Sequence, residues 1–152
     1  GVYINAQNIV NINNDLATQE DLRNLKAVPT SPIEKDLTRK LCGFAVETSV
    51  KRHAGMVLDS YTPTGRKQVV RGKDLTAVKW VIGTGGALTR IDGGKDILRS
   101  ICTGPGKYLL PTPDVSLLID REYRFSAFGT LAQDYPEQVK TTFQKWVESE
   151  HR

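Results

Sequence analysis

The chain has 152 residues, 39% of them hydrophobic and 25% charged, with a net charge of +4 and a mean hydropathy of −0.35. That length fits one domain, and that composition fits a globular chain with a core of its own rather than a disordered or collagen-like one. No apolar run approaches the roughly 20 residues of a membrane span, and Gly1-Val2-Tyr3 lacks the charged start and apolar core of a signal peptide.

The two cysteines, Cys42 and Cys102, do not make a disulfide scaffold, so a reducing cytoplasm is the expected location. No Cys/His group has metal-ligand spacing. Between Glu34 and Lys79 ten Lys/Arg stand against five acids, which reads as a solvated, slightly basic face. A nucleic-acid interface would interleave aromatic residues with such charges. Tyr61 sits mid-stretch by itself, so neither a nucleic acid nor a membrane is an expected partner.

Residues 1–30 are Asn-rich from Asn5 to Asn14 and carry Val2, Ile4, Ile9, Val10 and Ile12, then Leu16, Leu22 and Leu25. They read as a strand with a short helix, or as an extended arm. The expected organisation is an irregular N-terminal arm or partial subdomain over 1–30 and a main subdomain over 31–152. Ser31-Pro32-Ile33-Glu34 is a helix start: Ser31 caps, Pro32 fits the first turn and Glu34 closes the capping box. Apolar residues at 33, 37, 41, 44, 45 and 48 give a helical stripe that runs to about Ala54, with Gly55 just past its end. His53, near that end, complements the helix dipole.

Residues 56–61 and 66–71 flank Thr62-Pro63-Thr64-Gly65, whose Pro and Gly are turn chemistry, so a hairpin is predicted. Gly72-Lys73-Asp74 ends it. Its basic residues Arg66, Lys67, Arg71 and Lys73 read as a solvated face, with a surface for an acidic partner or a nucleotide phosphate as the alternative. Val78 to Ile82 reads as a short buried strand. Ala87 to about Ile91 starts a helix, Asp92-Gly93-Gly94 interrupts it, and Lys95 to Cys102 resumes it. Thr103-Gly104-Pro105-Gly106 is a loop and Val115 to Ile119 a second buried strand. Helices are expected over 122–133 and 136–150, the second amphipathic through Val139, Phe143, Trp146 and Val147. Asp120 is expected to cap the first of these, with Arg121 as its first residue. Ala127 and Gly129 would let that helix approach the sheet. Strands alternating with helices imply an α/β fold with a mixed or parallel sheet flanked by helices.

The feature that carries chemistry is Val81-Ile82-Gly83-Thr84-Gly85-Gly86-Ala87-Leu88-Thr89-Arg90, an apolar strand running through three glycines into a helix. Glycine permits turns and close backbone approach that a Cβ forbids. A P-loop is excluded: at Gly106-Lys107, Ile101 stands for the first Gly and Tyr108 for the hydroxyl residue. A dinucleotide fingerprint is excluded as well, because Leu88 stands where its third Gly belongs. On pattern alone, a packing turn and a ligand turn both remain open.

The run resembles the adenosine-binding turn of the actin-like ATPase superfamily. Further segments are similar to the MutL family encoded beside cobalamin-dependent glutamate mutase and ornithine aminomutase, a family unrelated to the mismatch-repair protein of the same name. They are Val50-Lys51-Arg52-His53-Ala54-Gly55, Tyr61-Thr62-Pro63-Thr64-Gly65-Arg66, Arg71-Gly72-Lys73-Asp74-Leu75-Thr76, Leu118-Ile119-Asp120-Arg121-Glu122-Tyr123 and Ala127-Phe128-Gly129-Thr130-Leu131. The resemblance covers roughly residues 31–140. It implies an actin-like, ribonuclease-H-like fold with ATP or ADP and Mg²⁺ in a cleft, and a chaperone or reactivating role toward subunits of a cobalamin-dependent mutase.

By that resemblance Gly83, Gly85 and Gly86 would bring backbone close to the adenosine or α-phosphate, with Thr84 and Ala87 as small neighbours that leave room in the site. Arg90 resembles a chaperone arginine that stacks on adenine, in a turn one residue longer, and its other reading is a solvated helix arginine. The Asp-Gly phosphate turns of actin-like ATPases are not found in this sequence. The chain is therefore expected to be the C-terminal part of a longer protein that lacks its N-terminal half and does not hydrolyse ATP alone. The alternative is a non-catalytic protein-interaction module that keeps the fold without nucleotide.

Overall fold

The structure is a computed structural model that describes residues 2–11, 13 and 15–150. Ile12 and Asn14 of the Asn-rich stretch lie outside the described residues. The chain forms seven helices and four strands among those residues: α1 Val2–Val10, α2 Gln19–Arg23, α3 Pro32–His53, β1 Met56–Thr62, β2 Gly65–Arg71, β3 Trp80–Gly83, α4 Gly86–Thr89, α5 Gly94–Ser100, β4 Ser116–Ile119, α6 Arg124–Leu131 and α7 Pro136–Glu150.

The class is mixed α/β, with two small sheets flanked by helices. β1 and β2 form an antiparallel hairpin in which Thr62 pairs with Gly65 across the two-residue loop. β3 and β4 pair in parallel, Trp80 with Ser116 through Gly83 with Ile119. α4 and α5 make the crossover between them, as a parallel pair requires.

Helices cover both faces of the parallel pair. On one face Leu117 and Ile119 pack with Leu98, Ile101 and Cys102, and Val46 and Val50 of α3 close the layer. On the other, Leu118 packs against Trp146 and Val147 of α7, with Phe128 and Phe143 around it. Successive residues of β4 thus serve opposite layers, the two-residue alternation of a strand. Phe143 and Trp146 stand 5.8 Å apart edge to face, a favoured aromatic geometry.

α3 starts as its sequence dictates. The Ser31 hydroxyl accepts from the Glu34 N–H, and the Glu34 carboxylate accepts from the Ser31 N–H. The C-terminal end differs from expectation. Ala54 is extended, and Gly55 does not take a left-handed capping conformation. It is needed for contact instead: a Cβ there would stand 2.9 Å from the Lys73 carbonyl oxygen.

The first 30 residues contain two helices, where a strand with a short helix, or an extended arm, was expected. Ala6 and Val10, one helical turn apart, meet Leu22 of α2 and Leu41 of α3 in a cluster of their own. The Thr18–Asp21 capping box starts α2. Two further expectations shift. β3 begins at Trp80, because Val78 lies in a turn to Leu75, and the strand is half-buried with Trp80 38% exposed. Ala127 and Gly129 are exposed on α6, and a Cβ on Gly129 would meet nothing within 4 Å. Gly129 instead lines an apolar groove between α6 and α7 with Phe125, Phe128, Val139 and Phe143.

Candidate functional site: the glycine turn after β3

β3 ends at Gly83, and three residues later the chain is helical. The three glycines of this turn answer to different constraints. A Cβ on Gly83 would lie 2.8 Å from Leu98 Cδ1 and 3.0 Å from Ile119 Cδ1, so packing between α5 and β4 explains it. Gly85 takes φ +92°, a conformation open to glycine and strained for other residues. Gly86 has an ordinary φ, and a Cβ on it meets nothing within 4 Å. Gly85 likewise faces open space. Thr84 and Gly86 are exposed, and Ala87 is half-buried.

The inner side of the turn is tightly bonded. The Gly85 carbonyl accepts from Leu88 N–H at 3.1 Å, Thr89 N–H at 3.0 Å and the Thr89 hydroxyl at 3.0 Å. The Asp120 N–H donates to the Gly83 carbonyl at 2.8 Å, tying the ends of both strands together. Gly94 locks the next turn, since a Cβ on it would stand 2.1 Å from the Leu88 carbonyl oxygen. The loop is therefore held from within while its outer backbone stays open.

Asp120 and Arg121 brace the turn from β4. Asp120 is 1% exposed, and its carboxylate accepts from Arg124 N–H at 2.8 Å and Phe125 N–H at 2.9 Å. It thus caps α6, as expected, but across an intervening turn. The residue next to the helix is Tyr123, in a left-handed conformation at φ 56°. Arg121 is not the first helical residue; its guanidinium donates to the Thr89 carbonyl at 3.0 Å. Arg90 lies over the Tyr123 ring, 5.8 Å from its centre, a cation–π contact. The Tyr123 hydroxyl is 3.4 Å from Thr89 Oγ1.

Sequence reasoning missed Tyr123 and Arg121 as partners of the turn. Their signal was faint, because 31 or more residues separate them from the groups they touch, and only the parallel register brings them together. It also missed a cavity of about 300 Å³ beside the turn, which has Ala87 on its wall together with Ala6, Ile9, Leu25, Leu41 and Cys42. That cavity is largely apolar and lies between α1, α3 and the start of α4. Burial pushes the Cys42 thiol above its ordinary value, which keeps it protonated. The buried Cys102 donates its thiol to the Leu98 carbonyl, so it is a packing residue. The pseudo-P-loop segment around Gly106-Lys107 lines a separate cavity with Glu47, Lys51 and Tyr108. Among the described residues, no group of three or more His, Cys, Asp or Glu side chains is placed to hold a metal ion. No helix among them is long and apolar enough to cross a membrane.

A family profile described as MutL protein matches residues 2–147. The chain belongs to the MutL family. This is the family associated with glutamate mutase. The curated protein MutL of Clostridium tetanomorphum is 33% identical over 125 residues, 81% of this chain. The chain spans 27% of that relative's length. No solved structure matches the chain.

Proposed function

We propose that this MutL-family chain forms the adenosine side of a nucleotide cleft in an actin-like protein, with ATP or ADP and Mg²⁺ as the ligand of the longer polypeptide. What supports the reading is the pairing of an open glycine backbone with an apolar cavity. Gly85 and Gly86 leave the outer face of the turn free, and Ala87 leads from it into the cavity of about 300 Å³. That volume lies at the lower end of small-molecule pockets and suits a purine base. Lys26 and Thr38 add polar groups to the cavity wall. The role of the longer protein would then be ATP-dependent reactivation of a cobalamin-dependent mutase. Addition of the full-length protein and ATP to an inactivated glutamate mutase should restore turnover.

A second reading keeps the fold without nucleotide and gives the chain a role in protein interaction. It is favoured by Gly83, which packing explains, and by Arg90, which already lies on Tyr123. Calorimetric titration of full-length protein with ATP separates the two. The nucleotide reading expects binding that weakens at least tenfold in Gly86→Val. Gly86 is the informative position because a side chain there enters open space, whereas φ +92° at Gly85 would strain the backbone of any variant. Absence of ATP binding, or binding indifferent to Gly86→Val, would favour the interaction reading.

A further inference from the structure

The hairpin β1–β2 serves neither the core nor the glycine turn. All seven residues of β2 are exposed. The outer edge of β1 is partly occupied, since Met56 bridges to Tyr108 and the Val57 N–H donates to the Lys107 carbonyl. The outer edge of β2 pairs with no strand among the described residues.

This ribbon is more apolar than its exposure suits. The register puts Val57, Tyr61 and Val70 on one face and Met56, Leu58 and Val69 on the other. Tyr61 is 79% exposed, Val70 57%, Val69 47% and Leu58 38%. A two-stranded ribbon is marginal in water by itself, and an open apolar edge is a template for a further strand.

Charge decides which strand would fit. Arg66 is paired with Asp59 at 2.7 Å. Lys67 and Arg71 have no ion-pair partner among the described residues, and both lie on the face of Val69. A second copy of β2 in antiparallel register about Val69 would set Lys67 opposite Arg71, and like charges opposed across a ladder destabilise it. A strand carrying Asp or Glu at those positions would complete both the ladder and the charge.

We propose that the open edge of β2 takes a third strand from an acidic partner polypeptide, an extended segment in which Asp or Glu alternates with β-branched apolar residues. Main-chain hydrogen bonds would supply affinity, Lys67 and Arg71 would select the acids on one face, and Val70 would meet the apolar residues on the other. This inference is independent of nucleotide binding.

A fluorescent, end-capped heptapeptide of alternating Glu and Val, titrated into the full-length protein, tests it by anisotropy. Hydrogen–deuterium exchange then locates the site. The expected result is saturable binding with added protection over 65–71, lost at least tenfold in the Lys67→Glu, Arg71→Glu double variant and only partly in Lys67→Gln, Arg71→Gln. These side chains are exposed, and unchanged exchange in β4 would verify that the variants fold. Equal binding of a Lys/Val peptide, protection elsewhere than 65–71, or no binding at millimolar peptide would overturn the proposal. So would protection of 65–71 by phosphatidylserine vesicles when the peptide gives none.

Discussion

The two sheets among the described residues are each a single pair of strands, yet helices cover one on both faces and the other on neither. β3 and β4 carry short apolar runs, Trp-Val-Ile and Ser-Leu-Leu-Ile, and helices cover them above and below. β1 and β2 mix apolar residues with Arg, Lys and Asp, and the turn and mutual register hold them. The parallel pair cannot exist without its crossover and its two helical layers, because parallel sheets are stable only when covered. An antiparallel hairpin needs no crossover and can face water, so this one projects from its anchor at Met56 and Val57. One pair carries the structure, including the glycine turn at its end, and the other leaves an edge unpaired among the described residues.

Substitutions that introduce or remove a single buried group should expose this contrast most strongly. In Gly94→Ala the new Cβ would meet the Leu88 carbonyl oxygen at 2.1 Å, a contact that only a backbone shift relieves. Urea unfolding should register a loss at or above about 3 kcal/mol, the upper end of overpacking costs. Gly86→Ala meets no atom within 4 Å and replaces glycine at a helix start, so its stability should stay within about 1 kcal/mol of the parent. Equal losses in the two variants would remove the distinction between a locking glycine and an open one.

Truncating the strands themselves comes next. Leu118, 1% exposed beneath Trp146, should cost about 2–5 kcal/mol as Leu118→Ala, the range for buried leucines. Val70→Ala on the hairpin, where the side chain is largely exposed, should cost less than about 1 kcal/mol. A Val70 loss as large as that at Leu118 would mean that something covers the hairpin already.

Legibility in the sequence followed the range of the forces involved. The start of α3 was readable because Ser31, Pro32 and Glu34 act within one helical turn. The hairpin was readable because Pro63 and Gly65 fix its loop. α1 was not, because its Asn-rich segment has poor helix propensity and is held by tertiary contact of Ala6 and Val10 with Leu22 and Leu41. The start of α6 moved from residue 122 to 124 because Asp120 caps across a turn that puts Tyr123 at positive φ. At the candidate site, the strand–glycine–helix pattern was visible, but the division of labour among its glycines was not. Gly83 is set by Leu98 and Ile119, which are distant in sequence, and Gly86 by what is absent around it.

The smallest effect sharpens the comparison from outside both sheets. The Glu34 carboxylate pairs with the Lys26 ammonium at 2.6 Å and accepts from the N–H groups of Thr30 and Ser31, tying the segment after α2 to the start of α3. The Lys26 contact first, then the two backbone donors, pull its pKa from 4.5 down to about 2. A folded pKa below the unfolded one means that the stabilisation is complete above 4.5 and is lost as the pH falls toward about 2. Glu34→Gln keeps the amide oxygen as an acceptor but has no charge to titrate. The parent should therefore be more thermostable than the variant at neutral pH, and their melting temperatures should converge between pH 4.5 and about 2. Hydrogen exchange over the same window should loosen α1, α2 and the first turn of α3 while β3 and β4 remain protected. A melting-temperature gap that stays constant throughout that window, or β4 opening together with α1, would show that the carboxylate does not anchor the N-terminal helices separately from the parallel pair.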